Sequence, residues 1–307
     1  MTALWTGAEL RDATGGTLAE DVAVTGVSID TRSLAAGELF VALRDARDGH
    51  DFAADAFARG AACALVDRAV PGGPNLVVRD TLEGLAALGS AGRARSAARV
   101  IAVTGSVGKT TTKDMLRRAC AGLGPTHASA ASHNNHWGVP LTLARMPRGT
   151  GWAAIEIGMN HRHEIAPLSR VARPHVTIVT TIGTAHIGNL GSQAAIADEK
   201  ADISAGIEPG GIALLPADSP FFARMKAVAE GYGARVLGFG EAAGECRLVG
   251  FEGTADGSRL TCGILGRRVE TELGQPGRHM ALNALAALSA IAAAGGDVAE
   301  AAAALSG

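Results

Sequence analysis

Residues 100–112 read Val-Ile-Ala-Val-Thr-Gly-Ser-Val-Gly-Lys-Thr-Thr-Thr. An apolar β-type run ends in a glycine turn that carries Lys-Thr. No other stretch constrains the fold as strongly, because it predicts a strand, a turn and a helix in fixed order and gives the turn a ligand class. The strand delivers the backbone to Gly105, and the turn through Ser106, Val107 and Gly108 is expected to point its amide N–H groups inward. A helix starts near Lys109 with its positive dipole end at the same point, completing a cradle for a polyphosphate such as ATP. Lys109 is expected on the β/γ-phosphates, Thr110 on a magnesium ion and Thr111 beside them. Only Ser106 and Val107 separate the two glycines, and Val103 stands where the general phosphate loop has its first glycine. Lysine is scarce in this arginine-rich chain, being confined to Lys109, Lys113, Lys200 and Lys226. Arginine is a poor substitute for a compact ammonium in a tight phosphate loop.

A chain of 307 residues suits two domains with sizeable cores. A net charge of −2 argues against non-specific nucleic-acid binding. The N-terminal residues show no basic stretch followed by an apolar one, so no signal peptide is expected. The longest apolar run, 281–294, is interrupted by Asn283 and Ser289 and reads as a buried helix, so no membrane insertion is expected. Cys63, Cys120, Cys246 and Cys262 lack paired metal spacing and read as small core residues in a reducing compartment. The expected state is a cytoplasmic monomer.

The fold class expected is α/β: a small N-terminal α/β domain over residues 1–92, then a mostly parallel, P-loop ATPase-type central domain over residues 93–307. In the first domain, Thr6-Gly-Ala-Glu9 is a capping box. Strand-like runs follow at 22–29, 38–43, 63–66 and 75–78, with a helix over 51–59 and another from Thr81. The Arg- and Ala-rich segment 92–99 reads as a linker. From Arg99 strands and helices alternate, which predicts a parallel sheet covered on both faces. Strands are expected at 100–104, 152–157, 175–182, 212–215 and 235–238, and helices at 109–121, 193–205 and 221–230. Residues 246–273 suit antiparallel hairpins, and helices over 279–294 and 297–305 close the chain.

Ligands of open α/β sheets gather at the C-terminal ends of parallel strands. Glu156 falls late in an apolar run, where a buried carboxylate needs a partner: a magnesium ion shared with Thr110, or a cap or arginine. His186 lies past a strand and a Gly turn, and suits either a metal or phosphate role or a structural one. Lys200, amid Asp198, Glu199 and Asp202, reads by default as a solvated helix lysine. Asn134 and Asn135 form either a turn that stops a strand or a pair of amides aimed at a polar substrate. In the first domain Ser28-Ile-Asp30-Thr31-Arg32 follows a strand and Asp48-Gly-His50 opens a helix. Both are open to turn-and-cap chemistry or to anion binding.

Taken in register, these motifs resemble the Mur ligases, ATP-dependent amide-bond-forming enzymes of peptidoglycan synthesis. The resemblance runs through Ser28-x-Asp-Thr-Arg32, Gly37-Glu-Leu-Phe-Val-Ala-Leu43, Asp48-Gly-His-x-Phe52 and Thr104-Gly-x-x-Gly-Lys-Thr-Thr111. It continues through Asn134-Asn-x-x-Gly-Val-Pro140, Glu156-x-Gly-x-Asn160, Ile182-Gly-x-Ala-His186, Glu199-Lys200 and Gly277-Arg-His-x-x-x-Asn283. It implies a ligase that adds D-Ala-D-Ala to UDP-MurNAc-tripeptide through an acyl phosphate. The sister activity, which adds the third amino acid, fits less well after the phosphate loop. It implies that Ser28, Asp30, Thr31, Arg32, Phe40, Val41, Ala42, Asp48 and His50 hold the uridine diphosphate end, with Asn134 and Asn135 near the substrate. It implies ATP on Gly105–Thr111, with Asn283 approaching the adenine, and two Mg2+ sites. Thr110 and Glu156 would serve one site; Glu156, His186 and a carbamylated Lys200 the other. Two departures stand out: Met280 where the family often has asparagine, and Pro216 in place of an asparagine. A third domain with further ATP and amino-substrate contacts is expected beyond this chain, so the chain alone would be inactive or act as a binding module. An unrelated phosphate-loop kinase or ATPase would leave the first-domain motifs unexplained.

Overall fold

The computed structural model describes residues 3–130, 133–185, 187–254 and 256–306. It divides into two compact units, residues 1–96 with 140–148, and residues 97–139 with 149–307. The boundary expected at 92/93 therefore moves to 96/97, and a short later segment belongs to the first unit.

In the first unit β1 (Trp5–Thr6) pairs antiparallel with β2 (Ala23–Val24). Between them α1 (Gly7–Thr14) starts with the capping box that its sequence predicts: Thr6 accepts from the Glu9 N–H while the Glu9 carboxylate accepts from the Thr6 N–H. Four parallel strands follow in chain order: β3 (Val27–Ser28), β4 (Leu39–Val41), β5 (Cys63–Val66) and β6 (Asn75–Val77). The single strand expected over 22–29 is split because the backbone changes partners. Val24 pairs with Trp5, but the Thr25 N–H donates to Gly37 and Gly26 accepts from the Leu39 N–H. After a short 3-10 turn at Gly49–Phe52 comes α2 (Ala53–Ala58).

Asp80 caps α3 (Thr81–Ala94) through the N–H groups of Leu82 and Glu83. This helix runs into the segment expected to be a linker. Gly92 there serves packing, not breakage: a Cβ on it would lie 2.3 Å from the Leu143 carbonyl oxygen. Segment 140–148 is held further by Trp5, whose indole N–H donates to the Ala144 carbonyl at 2.9 Å.

The second unit is built on a nine-stranded sheet. Its strands are β7 (Arg99–Thr104), β8 (Thr126–Ala128), β9 (Trp152–Glu156), β10 (Val176–Val179), β11 (Ile212–Pro216), β12 (Arg235–Gly240), β13 (Cys246–Gly253), β14 (Ser258–Ile264) and β15 (Arg267–Leu273). Their spatial order is β15-β14-β13-β12-β11-β10-β7-β9-β8. Pairing is parallel from β8 to β13 and antiparallel from β13 to β15. The chain moves to one side of β7 for β8 and β9 and to the other for β10, so β7 is the switch point of the sheet. Crevices form at such points.

The helices after residue 97 are α4 (Lys109–Ala121), α5 (Gly138–Ala144), most of which belongs to the first unit, α6 (Ile165–Ala172), α7 (Ile187–Leu190), α8 (Gln193–Ala201), α9 (Phe222–Gly231), α10 (Arg278–Ala293) and α11 (Val298–Ser306). The apolar faces of α4, α10 and α11 cover one side of the sheet in a single core that includes Val103, Leu116, Ile178, Leu285 and Leu305. Among the described residues no helix is long and apolar enough to cross a membrane. The four cysteines are buried and free.

Candidate functional site

Parallel register places the end of β7 between two polar strand ends. Val103 lies beside Glu156 on β9, and Thr104 beside Val179 on β10. Gly105 turns the chain out of the sheet at φ +153°, and a Cβ there would lie 1.9 Å from the Thr180 hydroxyl oxygen. Only glycine can pass. Gly108 then adopts φ +88° and starts α4 at Lys109.

The loop is strapped to the residues after β10. The Ser106 N–H donates to the Thr181 carbonyl at 2.9 Å, and the Val107 N–H to the Thr181 hydroxyl at 3.2 Å. The Val107 carbonyl accepts the Thr180 hydroxyl at 2.5 Å, and the Ser106 hydroxyl accepts the Gly183 N–H at 2.9 Å. Two of the loop amides expected to face a phosphate are therefore already committed. The donors left for an anion are those of Gly108, Lys109 and Thr110 at the start of α4, where a helix has no internal acceptors to offer. Sequence reasoning missed this strap; its one signal was a Thr-Thr pair just past a strand.

Lys109 folds back to donate to the Gly105 carbonyl at 2.8 Å. Burial lowers its pKa, and the Glu156 charge opposes that shift. Thr110 donates its hydroxyl to Glu156 Oε1 at 3.2 Å, and the Asn134 amide donates to the same oxygen at 2.8 Å. Glu156 is 1% exposed, and its Oε2 is buried without any hydrogen-bond partner among the described residues. A buried carboxylate oxygen with no donor is costly unless something binds it. The arginine or cap alternative is not what the described residues show: the groups that donate to this carboxylate among them are a threonine and an asparagine.

Lys200 is 1% exposed, which overturns its reading as a solvated helix lysine. Burial and the nearby Lys109 charge pull its pKa from 10.5 down to about 7, against the pull of Glu199. Glu199 is engaged elsewhere: its carboxylate accepts the N–H groups of His163, Glu164 and Ile165, at the start of α6. His186 lies outside the described residues. Among the described residues no three His, Cys, Asp or Glu side chains gather as a metal site. The donor set of Thr110 and a half-satisfied Glu156 still fits magnesium, which keeps waters and substrate phosphate oxygens and needs one or two protein oxygens.

Asn135 caps α5, its side-chain oxygen accepting the Gly138 N–H at 3.0 Å. Asn283, on α10, stands against the loop: a Cβ on Gly108 would lie 2.7 Å from its side-chain oxygen. A cavity of about 310 Å³ opens beside Thr110 and Thr111, bounded further by Asp114, Arg118 and Gln275.

In the first unit the structure brings together a different set. Asp30 accepts Arg32 Nε and Nη2 at 3.0 and 2.6 Å, and these bonds pull its carboxyl down to about 2. Ser28 is buried, with its hydroxyl on the Asp30 carbonyl, and Thr31 is buried beside it. Phe40, Val41 and Ala42 are buried, main chain included, in and just past a strand paired on both sides, so this structure does not bring them to a ligand-facing surface as the resemblance implied. Asp48 caps the turn at His50 N–H, lies 2.6 Å from His50 Nδ1 and accepts Arg68 at 2.8 Å, which lowers its pKa. His50 Nε2 accepts the Asp67 N–H at 3.1 Å.

Residues 103–291 match the Mur ligase middle domain, and residues 23–91 the Mur ligase family, catalytic domain. The UDP-N-acetylmuramoyl-tripeptide–D-alanyl-D-alanine ligase of Bacillus subtilis is 36% identical over 90% of this chain and 61% of its own length. That of Escherichia coli is 36% identical over 91% and 62%. The chain thus spans about three fifths of these curated relatives. A crystal structure of MurF from Acinetobacter baumannii superposes with a TM-score of 0.88 at 32% identity, covering 98% of this chain and 68% of that one. MurF ligase from Thermotoga maritima in complex with ADP shares the fold, with a TM-score of 0.77 at 24% identity over 90% of this chain and 65% of that one.

Proposed function

This chain belongs to the Mur ligase family, and from that premise we propose that it supplies the ATP and UDP-substrate machinery for joining D-Ala-D-Ala to UDP-MurNAc-tripeptide. The observation that carries the reading is the contact of Thr110 with Glu156 beside the phosphate loop, with the second Glu156 oxygen buried and unpartnered.

In the reaction, an oxygen of the tripeptide's terminal carboxylate attacks the γ-phosphorus of ATP, and ADP leaves. The D-Ala-D-Ala amine then attacks the acyl carbon, loses a proton, and inorganic phosphate leaves. Both partners of the first step are anions, so the protein's task is neutralisation and positioning. Lys109 exchanges its resting bond to Gly105 for the β/γ-phosphates, and the N–H groups of Gly108, Lys109 and Thr110 hold phosphate oxygens. Thr110 and Glu156 would hold one Mg2+; Glu156, His186 and Lys200 would hold the other. Bound magnesium supplies positive charge where phosphate and carboxylate oxygens crowd together. Asn134 fixes the Glu156 oxygen that faces Thr110. Asn283 and the cavity beside Thr111 take the nucleoside end.

An ammonium at Lys200 would repel a metal. Burial makes its neutral amine accessible near neutral pH, and a neutral amine is the form that adds carbon dioxide. Carbamylation would then turn a buried cation into a carboxylate-like ligand. Ser28–Arg32 and the Asp48–His50 turn hold the uridine diphosphate end. Four buried free thiols suit a cytoplasmic setting.

Lys109→Ala tests the reading. It should abolish ATP binding in calorimetry while leaving UDP-substrate affinity close to the parent value. ATP affinity equal to the parent's in that variant refutes it.

A further inference from the structure

Lys113 is buried on the face of α4 that carries Thr110 one turn earlier. No step of the proposed reaction uses it. Packing alone does not ask for a lysine here, since an apolar side chain of similar length would fill the space with no ammonium to desolvate. Its amine donates to the Ser129 carbonyl at 3.2 Å and lies 2.9 Å from Asp114 Oδ1.

The register of the sheet edge gives that bond its meaning. Strand β8 pairs in parallel with β9 as far as Ala128 beside Ala154, and the Ser129 N–H still donates to the Ala154 carbonyl at 3.2 Å. One more step of a parallel ladder would send the Glu156 N–H to the Ser129 carbonyl. Instead the Glu156 N–H donates to the Ser129 hydroxyl at 3.2 Å, and Lys113 holds the carbonyl. Beyond this point Asn134 takes over the β8 side of the chain. Its carbonyl accepts the Gly158 N–H at 2.7 Å, and its amide donates to Glu156 Oε1 at 2.8 Å. Helix α4 therefore meets Glu156 at two levels: Thr110 at the carboxylate, and Lys113, through Ser129, at the main chain. We propose that Lys113 is a positioning residue for Glu156. By holding the Ser129 carbonyl it ends β8 and keeps the Glu156 carboxylate set between Thr110 and Asn134. Its consequence for nucleotide binding rests on the assignment of magnesium to Thr110 and Glu156.

The test is calorimetry of ATP with and without magnesium on the full chain, in the parent, Lys113→Met and Ser129→Ala, with thermal unfolding to check that each variant folds. Lys113→Met should cut the gain in ATP affinity on adding magnesium about tenfold, the loss of one charge-assisted hydrogen bond, while metal-free ATP affinity stays at the parent value. Ser129→Ala should do the same, and it carries the test alone if Lys113→Met does not fold. The double variant should lose no more than the weaker single one, because both changes break one chain of contacts. A merely structural lysine would lower both affinities together, and that outcome overturns the proposal. So does a magnesium gain equal to the parent's in either folded variant. A parent with no magnesium gain defeats the magnesium assignment instead. The Glu156 amide signal of the nucleotide-free chain then decides the matter, assigned under glutamate-selective labelling by its loss in Glu156→Gln. It should move in Lys113→Met as the N–H turns to the freed carbonyl, and in Ser129→Ala as it loses the hydroxyl; an unmoved signal overturns the proposal.

Discussion

Lys200→Met removes a buried charge while keeping the length of the side chain. The pKa of Lys200 falls from 10.5 to about 7 on folding, chiefly through burial. A tenfold change in proton affinity is about 1.4 kcal/mol, so holding the ammonium inside costs at most roughly 5 kcal/mol. Relaxation and an effective dielectric nearer 20 than 4 leave about 2–4 kcal/mol of that cost. Below pH 7 the folded and unfolded chains both carry the proton, and the penalty is complete. Between pH 7 and 10.5 the unfolded chain holds more protons than the folded one, so stability rises with pH as the penalty fades. The variant should therefore gain about 2–4 kcal/mol over the parent at pH 6 and clearly less at pH 9. The assay is amide hydrogen exchange of β7 and β9 in carbon-dioxide-free buffer, which reports the second unit alone. A variant no more stable than the parent at pH 6, or one whose advantage is the same at both pH values, refutes the reasoning. With labelled bicarbonate the parent should show a carbamate carbon signal that the variant lacks.

Glu156→Gln keeps the size of a side chain whose second oxygen has no donor. Its stability should stay within about 1 kcal/mol of the parent, because a buried charge and its desolvation cost go together, while the gain in ATP affinity on adding magnesium is lost; a gain equal to the parent's counts against the magnesium assignment. Thr181→Val cuts the strap to the Val107 N–H and should raise the KM for ATP about tenfold, by the loss of one to two hydrogen bonds, with Thr181→Ser restoring it. An equal KM in all three proteins would show that the loop holds its shape unaided. Gly105→Ala drives a methyl into the Thr180 hydroxyl and should abolish ATP binding in calorimetry, whereas parent-like affinity would mean that the loop can be rebuilt around it.

The frame was legible because its signals are local. The Thr6–Glu9 pattern specifies a cap, and the run from Val100 to Thr112 specifies strand, loop and helix, with α4 spanning the expected residues. The misses come from tertiary decisions. Helix α5 was hidden because Pro140 reads as a breaker, yet it stands in the first turn, where the missing N–H costs nothing. Helix α6 was hidden in the same way by Pro167. Gly92 of α3 opens the segment read as a linker, but Gly89 and Gly92 are the points at which another backbone comes close. Strand β8, three half-buried residues at the sheet edge, carries no alternation to detect.

The site divides along the same line. A residue whose role depends on the end of its own strand could be read from sequence: Lys109, Thr110 and Glu156 meet because adjacent parallel strands end level with one another. A residue whose role depends on a neighbour several elements away could not. Acidic residues around Lys200 suggest a wet surface, but Glu199 is bonded to the start of α6, and its pull on Lys200 is outweighed by burial and the Lys109 charge. The result is a lysine buried beside a second lysine, in a helix too weakly amphipathic to announce which face is inside. Sequence alone assigns such a residue to solvent, because burying an uncompensated ammonium is the costliest placement available to it. A fold that accepts this cost at the mouth of a phosphate loop has a reason located in the site and not in the core. The charge state of Lys200 is therefore the variable that separates a structural lysine from a working one.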